Sequence, residues 1–391
     1  MDLFGFGARE LESAGAHWTA REICQQPRIW LDVERLMTEQ SDALSRFLAP
    51  HLARPELHVV LTGAGTSSFV GQCLALALAG RVAHRVEAIA TTDLVAGPQR
   101  WLSRESPTLL VSFARSGNSP ESVAAVNLAE QCVDRCFHLV VTCNADGALC
   151  RRACGMNNAY AIVLPELSND RGFAMTSSFT GMLLAAAMAF RIVPTDGTRS
   201  RALARLAAQV IPDLEPLLHA LVAEGFERVV YLGSNELGGL AREAALKMLE
   251  LTDGRVIATG DTPLGFRHGP KTILNHNSLV ILFVSGDPYT QRYELDLLNE
   301  LRRDSVARRV VALWMSPPAV SHRDDVVLAH PAPDVAASGD LESCFPYVIF
   351  AQVLALLRSM SLGIRPDTPN AAGTVSRVVQ GVSIYPWTRP R

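Results

Sequence analysis

The stretch Gly63-Ala64-Gly65-Thr66-Ser67-Ser68 follows an apolar run and leads into a helical pattern. Glycines let a turn close tightly and bring backbone near a ligand, and a helix N-terminus offers unpaired N–H groups to an anion. The same loop fits a plain glycine turn with a serine cap, or a dinucleotide fingerprint in which Ser68 replaces the third glycine. A second segment, Ser112-Phe113-Ala114-Arg115-Ser116-Gly117-Asn118-Ser119-Pro120, decides between them. It gathers hydroxyls, a glycine and a guanidinium ahead of a proline suited to a first helical turn. A phosphate monoester needs such a second loop; a dinucleotide does not. Further along, Glu243, Lys247 and Glu250 fall close to one face of a helical stretch. By themselves they read as a surface ion-pair row, contributing on the order of a few tenths of a kcal/mol. His268, in Arg267-His268-Gly269-Pro270, by itself reads as a loop histidine.

These residues need strands and helices to aim them. Short Val-, Leu- and Ile-rich runs predict strands at 58–62, 108–113, 138–142 and 161–164, each suited to burial on both faces. Helical patterns follow at 68–79, 120–132 and 176–191. The second half repeats the scheme, with strands at 228–232, 279–284 and 310–314 and helices at 237–250, 290–302 and 341–362. Alternation of this kind predicts α/β architecture with parallel sheets, in which ligands bind beyond the carboxyl ends of the strands. Val60-Leu61-Thr62-Gly63 is echoed by Tyr231-Leu232-Gly233-Ser234, and the Ser-rich loop by Phe283-Val284-Ser285-Gly286. Such echoes indicate internal duplication. The second copy has no following Ser or Thr, so its phosphate loop reads as degraded, with one site expected per pair of lobes. Residues 194–200 read as the linker, and Thr19 with Glu22 as a capping box for a helix starting near Ala20.

Composition narrows the function classes. Charged residues make up 19% and apolar residues 48%, with a net charge of −3 and no basic stripe, which argues against nucleic acid and anionic membranes as partners. The start of the chain lacks a basic segment leading into an apolar one, and the run Met182–Phe190 is too short to span a bilayer, so a cytoplasmic protein is expected. Cys132/Cys136 and Cys150/Cys154 have helical spacing but no accompanying ligand pattern. The eight cysteines therefore read as reduced thiols, and no metal is expected.

Gly63-Ala64-Gly65-Thr66-Ser67 together with Ser116-Gly117-Asn118-Ser119 resembles the sugar isomerase (SIS) domain, a binder of phosphosugars. The resemblance implies two tandem SIS domains, each a mainly parallel sheet between helical layers. Their expected bounds are 46–195 and 205–365, with a helical arm over 1–45 and a tail over 366–391 that closes the site. It assigns the phosphate to Ser67, Arg115, Ser116 and Ser119, with Gly65 and Thr66 beside them. Glu243–Leu251 and Arg267-His268-Gly269-Pro270 resemble the isomerase half of glucosamine-6-phosphate synthase. That likeness makes Glu250 the base that moves a proton between C1 and C2, and His268 the group that opens the sugar ring. In that family the histidine comes from the partner subunit, which implies a homodimer or larger homo-oligomer with His268 able to act in trans. Glu243 and Lys247 either orient the sugar or pair with each other. The chemistry suits these types: a carboxylate can take and return a proton, and histidine exchanges protons near neutral pH.

Two departures from the synthase stand out. The chain begins Met1-Asp2-Leu3, with no N-terminal cysteine nucleophile, and Arg377 stands near the position of the lysine that forms a Schiff base there. Arginine stays protonated and cannot form the imine. Trp18–Ile23, Gln26-Pro27-Arg28, Asp170–Ser178 and Gly373–Gly381 extend the likeness to the AgaS-type galactosamine-6-phosphate deaminase/isomerases. The implied reaction is D-galactosamine 6-phosphate plus water to D-tagatose 6-phosphate plus ammonia, without cofactor. Aldose–ketose isomerisation without loss of nitrogen and non-enzymatic phosphosugar sensing are the alternatives.

Overall fold

The computed structural model describes residues 2–328, 339–379 and 381–388, so residue 380 and residues 389–391 of the expected tail lie outside the described residues. The chain forms two compact units. One comprises residues 32–169, 178–196 and 372–391; the other comprises 1–31, 170–177 and 197–371.

The first unit holds β1 (His58–Thr62), β2 (Arg85–Ala88), β3 (Thr108–Ala114), β4 (Cys136–Thr142) and β5 (Ala159–Val163), all parallel, in the order β2-β1-β3-β4-β5. β1 and β3 are buried along their whole length, which is why they read as unbroken apolar runs rather than alternating ones. The helices Thr66–Ala79 and Pro120–Cys132 follow β1 and β3 directly. Residues 372–391 belong to this unit, and Trp387 packs against its core while donating to Gln99 Oε1 at 3.3 Å.

The second unit holds β6 (Arg228–Gly233), β7 (Ile257–Asp261), β8 (Ser278–Phe283), β9 (Arg309–Trp314) and β10 (Asp325–Val327), again parallel, in the order β7-β6-β8-β9-β10. Renumbered from its own first strand, this is the same 2-1-3-4-5 permutation. The duplication legible in the loops is therefore a duplication of topology. In both sheets the strand order reverses beside the first strand, and loops leaving the two strands at that point flank a crevice.

Three features depart from the sequence reading. The expected linker at 194–200 ends in a helix that starts at Thr198 and runs to Glu224, with Pro212 and Pro216 inside it. Leu203, Leu206, Val210, Leu214, Leu218 and Leu221 form its buried stripe, and the prolines hid that periodicity. Second, β2, β7 and β10 are short edge strands of mixed exposure with little apolar signal, and none was expected. Third, Thr19 and Glu22 do not form a capping box. The helix there spans His17–Cys24, and both side chains are used for tertiary contacts instead. Thr19 donates from N and Oγ1 to Asp367 Oδ1 at 2.8 and 2.7 Å. Glu22 accepts from the backbone N–H groups of Arg171 and Gly172. Burial, with Asp170 nearby, pushes the Glu22 carboxyl up to about 8. Arg171 lies over the Trp18 ring at 4.7 Å, and Asp170 accepts from Thr176 N at 2.8 Å. The conspicuous Trp18–Ile23 and Asp170–Ser177 motifs thus tie one unit together.

Two helices, Thr198–Glu224 and Asp340–Ser361, are long and apolar enough to cross a membrane; the apolar window of the second is wholly buried, as the core helix of a folded domain is.

Candidate active site

The first phosphate loop is built by close approach. A Cβ on Gly63 would lie 2.5 Å from the carbonyl carbon of Ser67, so only glycine lets the chain turn off β1 directly into the helix. Gly65 precedes that helix at φ 55°, ψ −128°, and no side chain caps it. Thr66, Ser67 and Ser68 are buried in its first turn. Gly63→Ala should push this turn off the strand: we expect phosphosugar affinity to fall and stability to drop by about 1–3 kcal/mol, checked by calorimetry and thermal melts.

The second loop leaves β3. Arg115 is buried, and its guanidinium donates to the backbone carbonyl of Arg377 at 2.8 Å, so the tail meets the loop through main chain while residue 377 itself is exposed. Ser116 Oγ accepts from Asn118 N at 3.3 Å, and Asn144 Nδ2 donates to Ser116 O at 2.8 Å. Ser119 precedes Pro120 at the helix start without capping it, and its hydroxyl lies 2.6 Å from that of Ser122. Two uncapped helix starts, small residues and one guanidinium therefore stand after the strands that flank the switch point, an arrangement that suits a dianionic phosphate.

The other unit places the candidate proton-transfer residues. Glu243, Lys247 and Glu250 all lie on the helix Glu236–Leu251, which packs against β7 and the helix Asp340–Ser361. The surface ion-pair reading does not hold: Glu243 and Lys247 are both 0% exposed, and only Glu250 reaches solvent, at 26% for its side chain. The Lys247 ammonium sits 3.6 Å from Glu243 and in direct contact with Glu250. A buried cation between two carboxylates, one of them accessible, is costly as mere scaffolding and fixes the accessible carboxylate in place.

His268 ends the short helix Pro263–Arg267, whose start is capped by Thr262 Oγ1 accepting from Gly265 N at 3.1 Å. The loop is held to the helix Pro288–Asp304 by a ladder of ion pairs. Arg267 reaches Asp296 at 2.9 Å and Glu300 at 2.7 Å, while Lys271 reaches Glu300 at 2.5 Å and Asp304 at 2.6 Å. Hydrogen bonding to Lys271 holds the Glu300 and Asp304 carboxyls below their usual range. Lys271→Ala should loosen the loop carrying His268, lowering kcat severalfold while changing the melting temperature little, since exposed pairs contribute only about 0–1 kcal/mol. Of the residues singled out from sequence, the structure brings Glu243, Lys247 and Glu250 together, and Arg115 with the backbone of Arg377. The Arg267/Lys271 ladder escaped notice because its partners lie on a helix that carried no motif.

The chain is similar to known proteins over nearly its whole length. The SIS domain profile matches residues 51–192. The chain is 44% identical to D-galactosamine-6-phosphate deaminase AgaS of Escherichia coli, over 96% of this chain and 97% of that protein. It is 39% identical to D-galactosamine-6-phosphate deaminase AgaS of Shewanella sp. (strain ANA-3), over 98% and 95% of the two chains. Among solved structures, the tagatose-6-phosphate ketose/aldose isomerase from Escherichia coli superimposes with a TM-score of 0.88 at 41% identity, covering 95% of this chain and 97% of that one. With two sheets of one topology and near full-length likeness at these identities, the chain belongs to the AgaS family of SIS-domain proteins.

Proposed function

We propose that this protein is a deaminating isomerase that converts D-galactosamine 6-phosphate and water to D-tagatose 6-phosphate and ammonia. The observation that carries the reading is the near full-length likeness to D-galactosamine-6-phosphate deaminase AgaS. The buried Glu243–Lys247–Glu250 row supports it, because it presents one accessible carboxylate of the kind a proton shuttle uses.

In this reading Ser67, Arg115, Ser116 and Ser119 hold the phosphate, with the backbone at Gly65 and Thr66. His268 moves a proton from the anomeric hydroxyl to the ring oxygen and so opens the sugar. Glu250 takes the C2 proton, and the electron pair forms a C1=C2 double bond as O1 gains a proton. Return of the proton to C1 leaves a C2 iminium ion; water adds to it, ammonia departs, and a proton balancing the one that O1 gained is released as the ketone forms. Lys247, in direct contact with Glu250, orients its carboxyl group for the transfers. Every step is a proton transfer, the addition of water, or the departure of an oxygen or nitrogen leaving group helped by a proton, so the route calls on no cofactor. The domain bounds 46–195 and 205–365, the tail 366–391 as a closing segment near Arg377, a homodimer in which His268 serves the partner's substrate, and a cytoplasmic location belong to the same proposal.

The solved relative named as a tagatose-6-phosphate ketose/aldose isomerase favours a second reading, isomerisation with nitrogen retained or absent. Ammonia release measured side by side on galactosamine 6-phosphate, glucosamine 6-phosphate and their N-acetylated forms separates the two. Fast release from galactosamine 6-phosphate is expected. Interconversion of galactose and tagatose 6-phosphates without ammonia release from any amino sugar would reject deamination.

A further inference from the structure

The shared topology allows the two crevices to be compared position by position. Strand register pairs Thr62 with Ser112 in one sheet and Leu232 with Leu282 in the other. Asn235 (φ 52°, ψ −122°) repeats the backbone of Gly65, and both stand directly before a helix. A Cβ on Gly233 would lie 2.4 Å from the carbonyl oxygen of Leu237, the same approach, four residues on, that Gly63 makes. After β8 the chain runs Val284-Ser285-Gly286-Asp287 into a helix beginning at Pro288, as β3 runs through Arg115–Ser119 into Pro120. The second crevice has thus kept the shape of an anion cradle, beside a cavity of about 490 Å³ lined by Asn235, Glu236, Ser285, Asp287 and Asp340.

Its donors, however, are already taken by carboxylates. Ser285 Oγ donates to Asp340 Oδ2 at 2.5 Å, and Gly286 N donates to Asp340 Oδ1 at 2.6 Å. Ser285 N donates to Glu294 Oε2 at 2.9 Å, and Glu294 is wholly buried. Asp287 stands before Pro288 where Ser119 stands before Pro120, and it caps its own helix by accepting from Thr290 N at 2.7 Å. No guanidinium follows β8 in the place of Arg115. In the first unit, by contrast, no carboxylate is hydrogen-bonded to Ser116, Gly117 or Ser119 among the described residues.

We propose that the second crevice is a phosphate-class anion site closed from within, in which the Asp340 carboxylate takes the loop donors that a phosphate group would otherwise accept from. A carboxylate that bridges a hydroxyl and a backbone N–H reproduces two of the contacts of a bound oxyanion. Asp340 opens the helix Asp340–Ser361, whose positive end favours its charge. With Asp287 and Glu236 on the same wall, an incoming dianion meets repulsion in place of donors. The consequence is one phosphosugar per chain, at the loops after β1 and β3, and a second unit left to present Glu243, Lys247 and Glu250 without a competing substrate site.

The inference rests on the first-unit loops being the phosphate grip, and the test separates the two. Inorganic phosphate binding to the full chain is measured by equilibrium dialysis and calorimetry in four proteins. These are the native chain, Arg115→Ala, Asp287→Ser/Asp340→Ala, and all three substitutions together. The expected stoichiometries are one per chain, none, two and one. Failure of Arg115→Ala to lose its site would overturn the grip; failure of the folded double variant to gain a site would overturn the closed crevice. Should the double variant not fold, crystals of the native chain in phosphate decide the matter. Density for an anion only at Ser67 and Ser116–Ser119 upholds the proposal, and an anion on Ser285 and Gly286 defeats it.

Discussion

Glu250→Gln is expected to lower ammonia release from galactosamine 6-phosphate by about 10²–10⁴-fold, the usual contribution of a positioned acid–base group. Substrate affinity should stay close to native, because the amide keeps the size of the side chain and the proposed phosphate grip lies on other residues. Glu250 is the one accessible carboxylate of the buried row. As an amide it can neither take the C2 proton nor return it at C1. Exchange of the C2 hydrogen with solvent deuterium is the direct readout, since it reports proton abstraction whether or not the imine is later hydrolysed. Native-like exchange in the variant would remove Glu250 from the mechanism and turn attention to another base.

The repeated α/β plan was legible because its central strands are buried on both faces and its loops are short. β1, β3, β6 and β8 announce themselves as apolar runs ending at glycine or serine, and these are the strands that flank the two switch points. What was not legible depends on long-range contact. The edge strands β2, β7 and β10 owe their conformation to a neighbour rather than to their own pattern. Thr19 and Glu22 have capping-box spacing, yet their partners, Asp367 and the backbone at Arg171 and Gly172, lie far along the chain. Local spacing could not distinguish a helix start from a tertiary knot.

The candidate site divides in the same way. Ser67, Arg115, Ser116 and Ser119 could be proposed from sequence because phosphate recognition concentrates in contiguous loops. The burial of Lys247 could not. Spacing at i, i+4 and i+7 on one face is the same for a solvated row as for a buried one, and only packing against β7 and the helix Asp340–Ser361 decides which it is. Nor could the closed second crevice be read beyond its missing serine, since Asp340 arrives there from far along the chain.

Lys247→Met should produce the largest loss of stability of any single change in this row. Glu243 lies 3.6 Å from the ammonium at 0% exposure, so the variant removes its cation and leaves a carboxylate in the interior. Breaking a buried pair from one side costs about 3–5 kcal/mol, and for a unit of this size a drop in melting temperature of roughly 5–15 °C is expected. Glu243→Leu/Lys247→Met then separates scaffold from chemistry. An apolar pair of similar volume leaves nothing charged inside, so most of the melting temperature should return. Activity should not return with it, because Glu250 still lacks the ammonium contact that orients its carboxyl group. Recovery of both stability and native kcat in the double variant would make the row an inert strut, and full native stability of Lys247→Met alone would contradict its burial.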